Sequence, residues 1–126
     1  FDWSIEQGFR VVPAEECWYK SLTPLMAEVR EKLGDGPVYL SFDIDGIDPA
    51  FAPGTGTAEI GGLTSTQGIE IIRGMRGLDV IGGDLVEVSP PYDPFGNTSV
   101  LAANLLFEML CILPGVRYDD KVKAIY

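Results

Sequence analysis

The sequence predicts an α/β fold built on a parallel sheet, and three features of its pattern lead to that prediction. Short apolar runs typical of buried strands alternate with longer stretches whose apolar residues recur at helical spacing. Two of the three strand-like runs end in acidic residues followed by proline, which is typical of the carboxyl edge of a parallel sheet. The resulting order of strand, helix, strand, helix, strand and helix favours right-handed crossover connections.

The first half of the chain contains a strand, a helix and a second strand. Residues 8–12 form a short strand candidate that ends at Pro13. Residues 21–33 carry apolar side chains at helical spacing with charged residues between them, so they predict an amphipathic helix. A glycine- and proline-containing turn at 34–37 then leads into the second strand at 38–42.

The second half repeats the pattern after a long loop at residues 46–62, whose length suggests a function. A capping box opens a helix at residues 64–75, and a third strand covers residues 79–88. Asn97 is the expected N-cap of a last helix at residues 98–113. That helix is apolar on nearly every side, so we expect it to be buried.

The predicted sheet looks like one part of a larger sheet. Three parallel strands flanked by apolar helices leave a hydrophobic sheet edge uncovered, whereas parallel sheets are nearly always buried on both faces. Residues 115–126 are polar and are expected to form a loose tail. We therefore expect the chain to be part of a single domain.

Composition and charge narrow the possible functions. The net charge of −10 argues against nucleic acids and anionic membrane surfaces as partners, and it suits cationic substrates or bound cations. No apolar run is long enough to cross a bilayer, and no secretory leader is visible, so we expect a cytoplasmic or mitochondrial-matrix protein that is not secreted. Cys17 and Cys111 lie far apart and are expected to be free buried thiols in a reducing compartment.

The chain contains no histidine. Ser-His-Asp and Cys-His mechanisms therefore require an imidazole from another polypeptide. A metal centre of the transition-metal type also usually includes imidazole.

Three carboxylates follow the predicted strand at 38–42, namely Asp43, Asp45 and Asp48. If strand geometry continues through the first two, Asp43 and Asp45 point the same way and both reach one cation. Acids this close repel one another unless a cation lies between them. A polar turn is the alternative, whereas a helix-loop-helix calcium site is excluded because its glycine and glutamate positions do not match. We interpret the pair as half of a metal site.

Two further features belong to the predicted site. Glu87 is a lone acid at the end of the third predicted strand, where a carboxylate is costly unless it meets a cation. A structural ion pair with Arg73 or Arg76 is the alternative for Glu87. The glycine-rich loop at 53–57 lacks the lysine of a nucleotide-binding loop, so we interpret it as a tightly folded loop that shapes a pocket.

Longer motifs in the chain resemble the ureohydrolase family, which includes arginases and agmatinases. The motif SFDIDGIDP at 41–49 is followed by APGTGTAE at 52–59, in which Ala58 stands where the family usually has proline. The motif GDLVEVSPPYD at 83–93 resembles the agmatinase branch in particular. The resemblance implies a three-layer α/β/α fold with a mainly parallel sheet (arginase-like), of which residues 1–126 are the C-terminal portion.

The resemblance also implies an activity and a cofactor. Ureohydrolases hydrolyse a guanidino group to urea and an amine with two Mn²⁺ ions per whole subunit, and such ions make hydroxide available near neutral pH. Agmatine, which gives putrescine, is the first substrate to expect, and guanidinobutyrate or another guanidino acid is the alternative. The family further implies a homo-oligomer, either a trimer or a hexamer.

The resemblance assigns roles to four residues. Asp43 corresponds to a ligand that bridges both ions, Asp45 to a ligand of one ion, Glu87 to the carboxylate that binds the substrate guanidinium, and Thr57 to a pocket residue. The family's two histidine-containing motifs are missing from the chain, so we expect residues 1–126 to be inactive on their own. A non-catalytic truncated isoform or pseudoenzyme fragment that acts in assembly is the competing hypothesis.

Overall fold

The computed structural model describes residues 1–117, in which a two-stranded parallel sheet packs against helices. The strands are β1 (Pro37–Asp43) and β2 (Asp79–Val86), which pair in parallel from Pro37 with Asp79 to Asp43 with Val86. The helices are α1 (Asp2–Glu6), α2 (Thr23–Leu33), α3 (Ser65–Gly74) and α4 (Asn97–Ile112). Short 3-10 turns lie at Ala14–Cys17, Ile44–Gly46 and Pro90–Tyr92. The α/β class and the parallel pairing are confirmed.

A local signal explains where α3 begins, and a contact from α3 stabilises the start of α2. The Thr64 hydroxyl accepts a hydrogen bond from the Gln67 backbone N–H, and the Gln67 side chain accepts one from the Thr64 backbone N–H, so the predicted capping box is confirmed. Helix α2 has no capping side chain of its own. Instead, Glu70 in the middle of α3 accepts a hydrogen bond of 2.8 Å from the backbone N–H of Leu22, which joins the start of α2 to α3.

The core lies on one side of the sheet, between the strands and helices α3 and α4. Its members are buried apolar side chains, of which the most enclosed are Ile44, Ile47, Ala52, Ile72 and Leu105. Along β1, Val38 and Phe42 face this core, whereas Tyr39, Ser41 and Asp43 are exposed on the opposite face. One face of the sheet is therefore open in the part of the chain that the structure describes.

The predicted strand at residues 8–12 is wrong. This segment has no strand structure and lies along α2, where Lys32 donates a hydrogen bond of 2.6 Å to the carbonyl of Gly8. Arg10 likewise forms a salt bridge with Glu28 at 2.7 Å. Polar contacts with the charged face of a helix thus take the place of a strand ladder, and Pro13 supplies no N–H to extend one.

Helix α4 differs from its prediction in two respects. Gly96, not Asn97, is its N-cap residue, and the Asp93 carboxylate caps the first turn by accepting hydrogen bonds from two backbone N–H groups. Only one side of the helix is buried, through side chains such as Ala102 and Leu105. The other side exposes Val100, Phe107 and Leu110, because no described element covers it.

A bidentate ion pair joins α3 to α4. Arg73 donates hydrogen bonds of 2.8 and 2.6 Å to the two carboxylate oxygens of Glu108, and this contact holds the pKa of Glu108 below its usual value. Glu108 is largely buried, so the pair is better shielded from water than a typical surface salt bridge. Arg73 therefore pairs with Glu108, and the alternative ion pair of Glu87 with Arg73 or Arg76 stays a prediction.

Three smaller predictions have mixed outcomes. Cys17 and Cys111 are both free, but only Cys17 is buried, while Cys111 is half-buried. Of the predicted tail at 115–126, residues 118–126 lie outside the described residues. Within residues 1–117, no helix is both long enough and apolar enough to span a membrane.

Candidate active site

The two strands end side by side at the carboxyl edge of the sheet. Asp43 is the last residue of β1 and pairs in register with Val86, the last residue of β2. Glu87 follows Val86 directly. Because neighbouring strands lie about 4.8 Å apart, the fold brings Asp43 and Glu87 to the same edge. Their chemical roles remain predictions, but their proximity is the arrangement that a shared site requires.

Asp43 and Asp45 are arranged by a turn and not by a continued strand. The chain enters the 3-10 turn Ile44–Gly46 directly after Asp43. The Asp43 carboxylate accepts a hydrogen bond of 2.9 Å from the backbone N–H of Asp45, and its side chain is otherwise exposed. The strand geometry assumed for the pair therefore stops at Asp43, because its side chain caps the turn that follows. Its second oxygen, Oδ2, accepts no hydrogen bond from the described residues.

Two threonine hydroxyls orient the half-buried carboxylate of Asp45. Thr55 donates to one oxygen and Thr57 donates to the other. Thr57, predicted to line a pocket, thus contacts a predicted metal ligand directly. The sequence analysis did not single out Thr55, which is only 5% exposed. The alternating glycines and threonines of the loop could have indicated it, since residues two apart in an extended segment face the same way.

We call Asp43, Asp45 and Glu87, at the carboxyl ends of β1 and β2, the carboxylate edge. The third acid, Asp48, belongs to the loop and not to this edge. It accepts hydrogen bonds of 2.8 Å from the backbone N–H groups of Ala50 and Gly61, so it closes the long loop between β1 and α3. These backbone donors hold the pKa of Asp48 below its usual value. Asp48 is thus an anion stabilised by backbone amides, and it does not depend on a cation as the sequence pattern suggested.

Glu87 has a left-handed backbone conformation, with φ of 67°. This conformation is uncommon for a residue with a side chain and costs about 1 kcal/mol or more. It ends β2 at Val86, so strand alternation does not determine which way the exposed Glu87 side chain points. Strained residues of this kind concentrate at functional sites, which supports a role for Glu87 beyond stability.

A further acid, Asp84, lies on the open face of the sheet. It accepts hydrogen bonds of 2.7 Å from Ser41 and 2.8 Å from Tyr39, both on β1. These contacts hold the pKa of Asp84 low, and the bond to Asp84 raises that of the Tyr39 phenol. The cluster joins the strands two register pairs before Asp43 and so supports the geometry of the edge.

The loop that carries Thr55 and Thr57 is held by neighbours on both sides. The backbone N–H of Gly54 donates a hydrogen bond of 2.8 Å to the Thr98 hydroxyl at the start of α4. The carbonyl of Gly54 accepts one of 2.8 Å from the backbone N–H of Ser89, which lies two residues after Glu87. The loop therefore connects Asp45 to the end of β2.

Gly54 leaves no room for a side chain. A Cβ atom there would lie 2.5 Å from Cβ of Asp93 and 2.9 Å from the Thr98 hydroxyl. We expect Gly54→Ala to destabilise the fold by about 1–3 kcal/mol, the usual range for overpacking. Thermal unfolding of wild type and variant measures this loss.

Gly56 provides a matched control in the same loop. A Cβ atom there meets nothing within 4 Å, so Gly56→Ala is expected to leave the unfolding temperature almost unchanged. An equal loss of stability in both variants would show that the loop tolerates no side chain anywhere and that the contact with Asp93 is not the cause.

The carboxylate edge does not belong to the cavity beside α3. A cavity of about 570 Å³ opens between residues 18–21 and the start of α3, but Asp43, Asp45, Thr57 and Glu87 do not line it. Among residues 1–117, no three histidine, cysteine, aspartate or glutamate side chains gather into a metal-binding group.

The carboxylates nevertheless fit part of a manganese site. Carboxylate oxygens suit Mn²⁺, and Asp43 presents an oxygen that carries no hydrogen bond from the described residues. Asp45 is held in a fixed orientation by two hydroxyl donors, which is how neighbouring groups prepare a metal ligand. These two residues therefore fit as ligands, and the remaining ligands have to come from other residues.

Comparison with known proteins identifies the family. The profile described as Arginase family matches residues 1–111, which is most of the chain. The chain belongs to the arginase family. The resemblance seen in the sequence motifs is thereby confirmed.

Curated relatives within the arginase family are similar over a limited part of their own length. Guanidinobutyrase of Pseudomonas aeruginosa is 79% identical over 116 residues, which cover 92% of this chain and 36% of that protein. The mitochondrial agmatinase of Gallus gallus is 72% identical, with coverage of 89% and 33%. The mitochondrial guanidino acid hydrolase of Homo sapiens is 71% identical, with coverage of 87% and 31%. The chain thus spans about a third of the length of these relatives.

Solved structures of the arginase family show the same fold. Proclavaminate amidino hydrolase from Streptomyces clavuligerus matches with a TM-score of 0.82 and 45% identity, over 86% of this chain and 36% of that one. Arginase from Bacillus subtilis matches with a TM-score of 0.78 and 28% identity, over 86% and 40%. The expected arginase-like fold is confirmed, and the chain covers a part of that domain.

Proposed function

We propose that this chain supplies the carboxylate edge of a guanidino-compound hydrolase that releases urea. The observation that supports this most is the register of the sheet, which places Asp43 beside the strand end that carries Glu87 in a chain of the arginase family. In this proposal one strand end would supply metal ligands and its neighbour would supply a substrate-binding anion.

Asp43 and Asp45 would hold manganese in this proposal. The Asp43 oxygen without a hydrogen bond is available as a ligand, and the hydroxyls of Thr55 and Thr57 keep the Asp45 carboxylate in one orientation. Two bound Mn²⁺ ions would supply activated water near neutral pH. The histidine ligands would come from residues outside this sequence.

Glu87 would bind and orient the substrate. A carboxylate accepts two parallel hydrogen bonds from a planar guanidinium group, which fixes both its position and its plane. Such alignment lowers the barrier to attack on the guanidinium carbon. Because the backbone of Glu87 is left-handed, its side chain does not follow the alternating directions of the side chains along β2. We infer that this conformation aims the carboxylate at the substrate.

A linear guanidino acid such as guanidinobutyrate is the substrate that the relatives favour. Guanidinobutyrase is 79% identical and human guanidino acid hydrolase 71%, whereas the agmatinase of Escherichia coli is 49% identical. Agmatine, which the motifs led us to expect first, becomes the second candidate. It stays a candidate because the chicken agmatinase is 72% identical. Location in cytoplasm or mitochondrial matrix and assembly into trimers or hexamers remain predictions of the same proposal.

The test uses a complete subunit, defined as this chain joined to the rest of the domain. A chimera in which the chain replaces the matching segment of the Pseudomonas aeruginosa guanidinobutyrase provides it directly. We expect manganese-dependent urea release, with a higher kcat/KM for guanidinobutyrate than for agmatine. A folded, manganese-loaded complete subunit that releases urea from neither compound would instead favour the non-catalytic hypothesis.

The isolated chain is expected to be inactive. It has no histidine, and within residues 1–117 no three metal-binding side chains meet, so it cannot complete the proposed ligand set. Purified residues 1–126 incubated with Mn²⁺ and either substrate should release no urea above background. Manganese-dependent urea release by the chain alone would contradict the proposed division of ligands.

A further inference from the structure

Gly54 lies at the junction between α4 and the loop that holds Asp45. Its N–H donates to the Thr98 hydroxyl, and its carbonyl accepts from Ser89. The two peptide planes that flank Gly54 are therefore both fixed, and the second of them contains the backbone nitrogen of Thr55. The position from which Thr55 reaches Asp45 is thus set by contacts outside the loop.

Thr98, whose hydroxyl accepts the hydrogen bond from Gly54, is fully buried. Its side chain is 0% exposed, and its backbone N–H donates a hydrogen bond of 3.1 Å to the Asp93 carboxylate. Burial alone would raise the pKa of Asp93, but hydrogen bonds from Ser99 and Thr98 outweigh burial and hold that pKa low.

We propose that Thr98 is a positioning residue for the Asp45 carboxylate, acting through Gly54 and Thr55. This inference rests on the proposed function in one respect, namely that Asp45 is a metal ligand. Thr98 touches neither Asp45 nor the edge itself. Its effect is to fix the loop so that the Thr55 hydroxyl meets Asp45 in one orientation.

The structure offers a matched pair of variants. Thr98→Val keeps the shape of the side chain and removes the hydroxyl that holds Gly54. Ser99→Ala removes a hydroxyl that bonds to the same Asp93 carboxylate but makes no contact with Gly54. Ser99→Ala weakens the cap of α4 without touching the loop, and Thr98→Val releases the loop. Thr98→Ser retains the hydroxyl and serves as the rescue.

The experiment measures Mn²⁺ affinity of the complete subunit by the electron paramagnetic resonance signal of free Mn²⁺, with unfolding temperatures recorded beside it. We expect about 10-fold weaker Mn²⁺ binding in Thr98→Val, the lower end of the range for groups that orient a ligand. Ser99→Ala and Thr98→Ser should bind Mn²⁺ as the wild type does. Should Thr98→Val not fold, Thr98→Ala is measured in its place with the same expectation.

Every outcome decides the proposal. Equal losses of affinity in Thr98→Val and Ser99→Ala would assign the effect to the helix cap, and unchanged affinity in Thr98→Val would remove any role in positioning; either result overturns it. Urea release by the wild type is a separate readout. Failure of that activity would refute the proposed function, while the ratio of Mn²⁺ affinities still tests the role of Thr98.

Discussion

Replacement of Asp43 by asparagine in the complete subunit should abolish urea release and lower the manganese content. Asp43 would hold manganese in the proposed site, and an amide supplies neither the negative charge nor two equivalent oxygens. Metal-assisted activation contributes several kcal/mol, so its loss should lower kcat/KM by at least about 10³-fold. Metal analysis and urea assays on the same preparation measure both effects. Asp45→Asn should act in the same direction.

Asp79 provides the control for the loss of an aspartate charge. It is the exposed first residue of β2, at the opposite end of the sheet from Asp43. Asp79→Asn should therefore leave metal content and activity near those of the wild type. If Asp43→Asn kept its full manganese content and turnover, neither the metal role of Asp43 nor the proposed site would stand.

Replacement of Glu87 by glutamine should retain the metal and lose turnover. Glutamine has nearly the same shape but cannot accept two hydrogen bonds from a guanidinium as an anion does. Removal of one partner of such a charged pair costs about 2–5 kcal/mol, which corresponds to a loss of at least about 30-fold in kcat/KM. Urea kinetics and metal analysis of the complete subunit measure the two properties separately.

The contrast between these variants is the informative result. Asp43→Asn and Asp45→Asn should lose metal together with activity, whereas Glu87→Gln should lose activity alone. If all three variants lost metal alike, the separation of ligand and substrate roles between the two strand ends would be wrong.

The elements predicted correctly depend on signals that lie close together in the sequence. The apolar run that became β1 is short, bounded by a glycine-proline turn and followed by acids, and the structure ends it at Asp43. The capping box at Thr64 is complete within four residues, so it needs no distant contact to define the start of α3. Local patterns of this kind carry the same meaning in any fold.

The errors arise where side-chain contacts in the folded chain compete with a local pattern. Residues 8–12 have strand-like composition, but Lys32 and Glu28 draw this segment onto α2. Asn97 is a good capping residue, but Asp93 reaches the first turn of α4 and replaces it. In both cases a polar contact between separate elements outweighs a local preference.

The sequence alone determined the class of fold, the family and the identity of the acidic residues at two strand ends, because apolar periodicity and motif spacing are properties of consecutive residues. Only the tertiary structure decided how those acids are held. Asp43 caps the turn that follows it, Thr55 donates a hydrogen bond to Asp45, and Glu87 has a left-handed backbone. These features depend on contacts and backbone angles that residue spacing does not encode. The physical reason is that hydrogen-bond direction is set by where the helices and loops pack against the sheet.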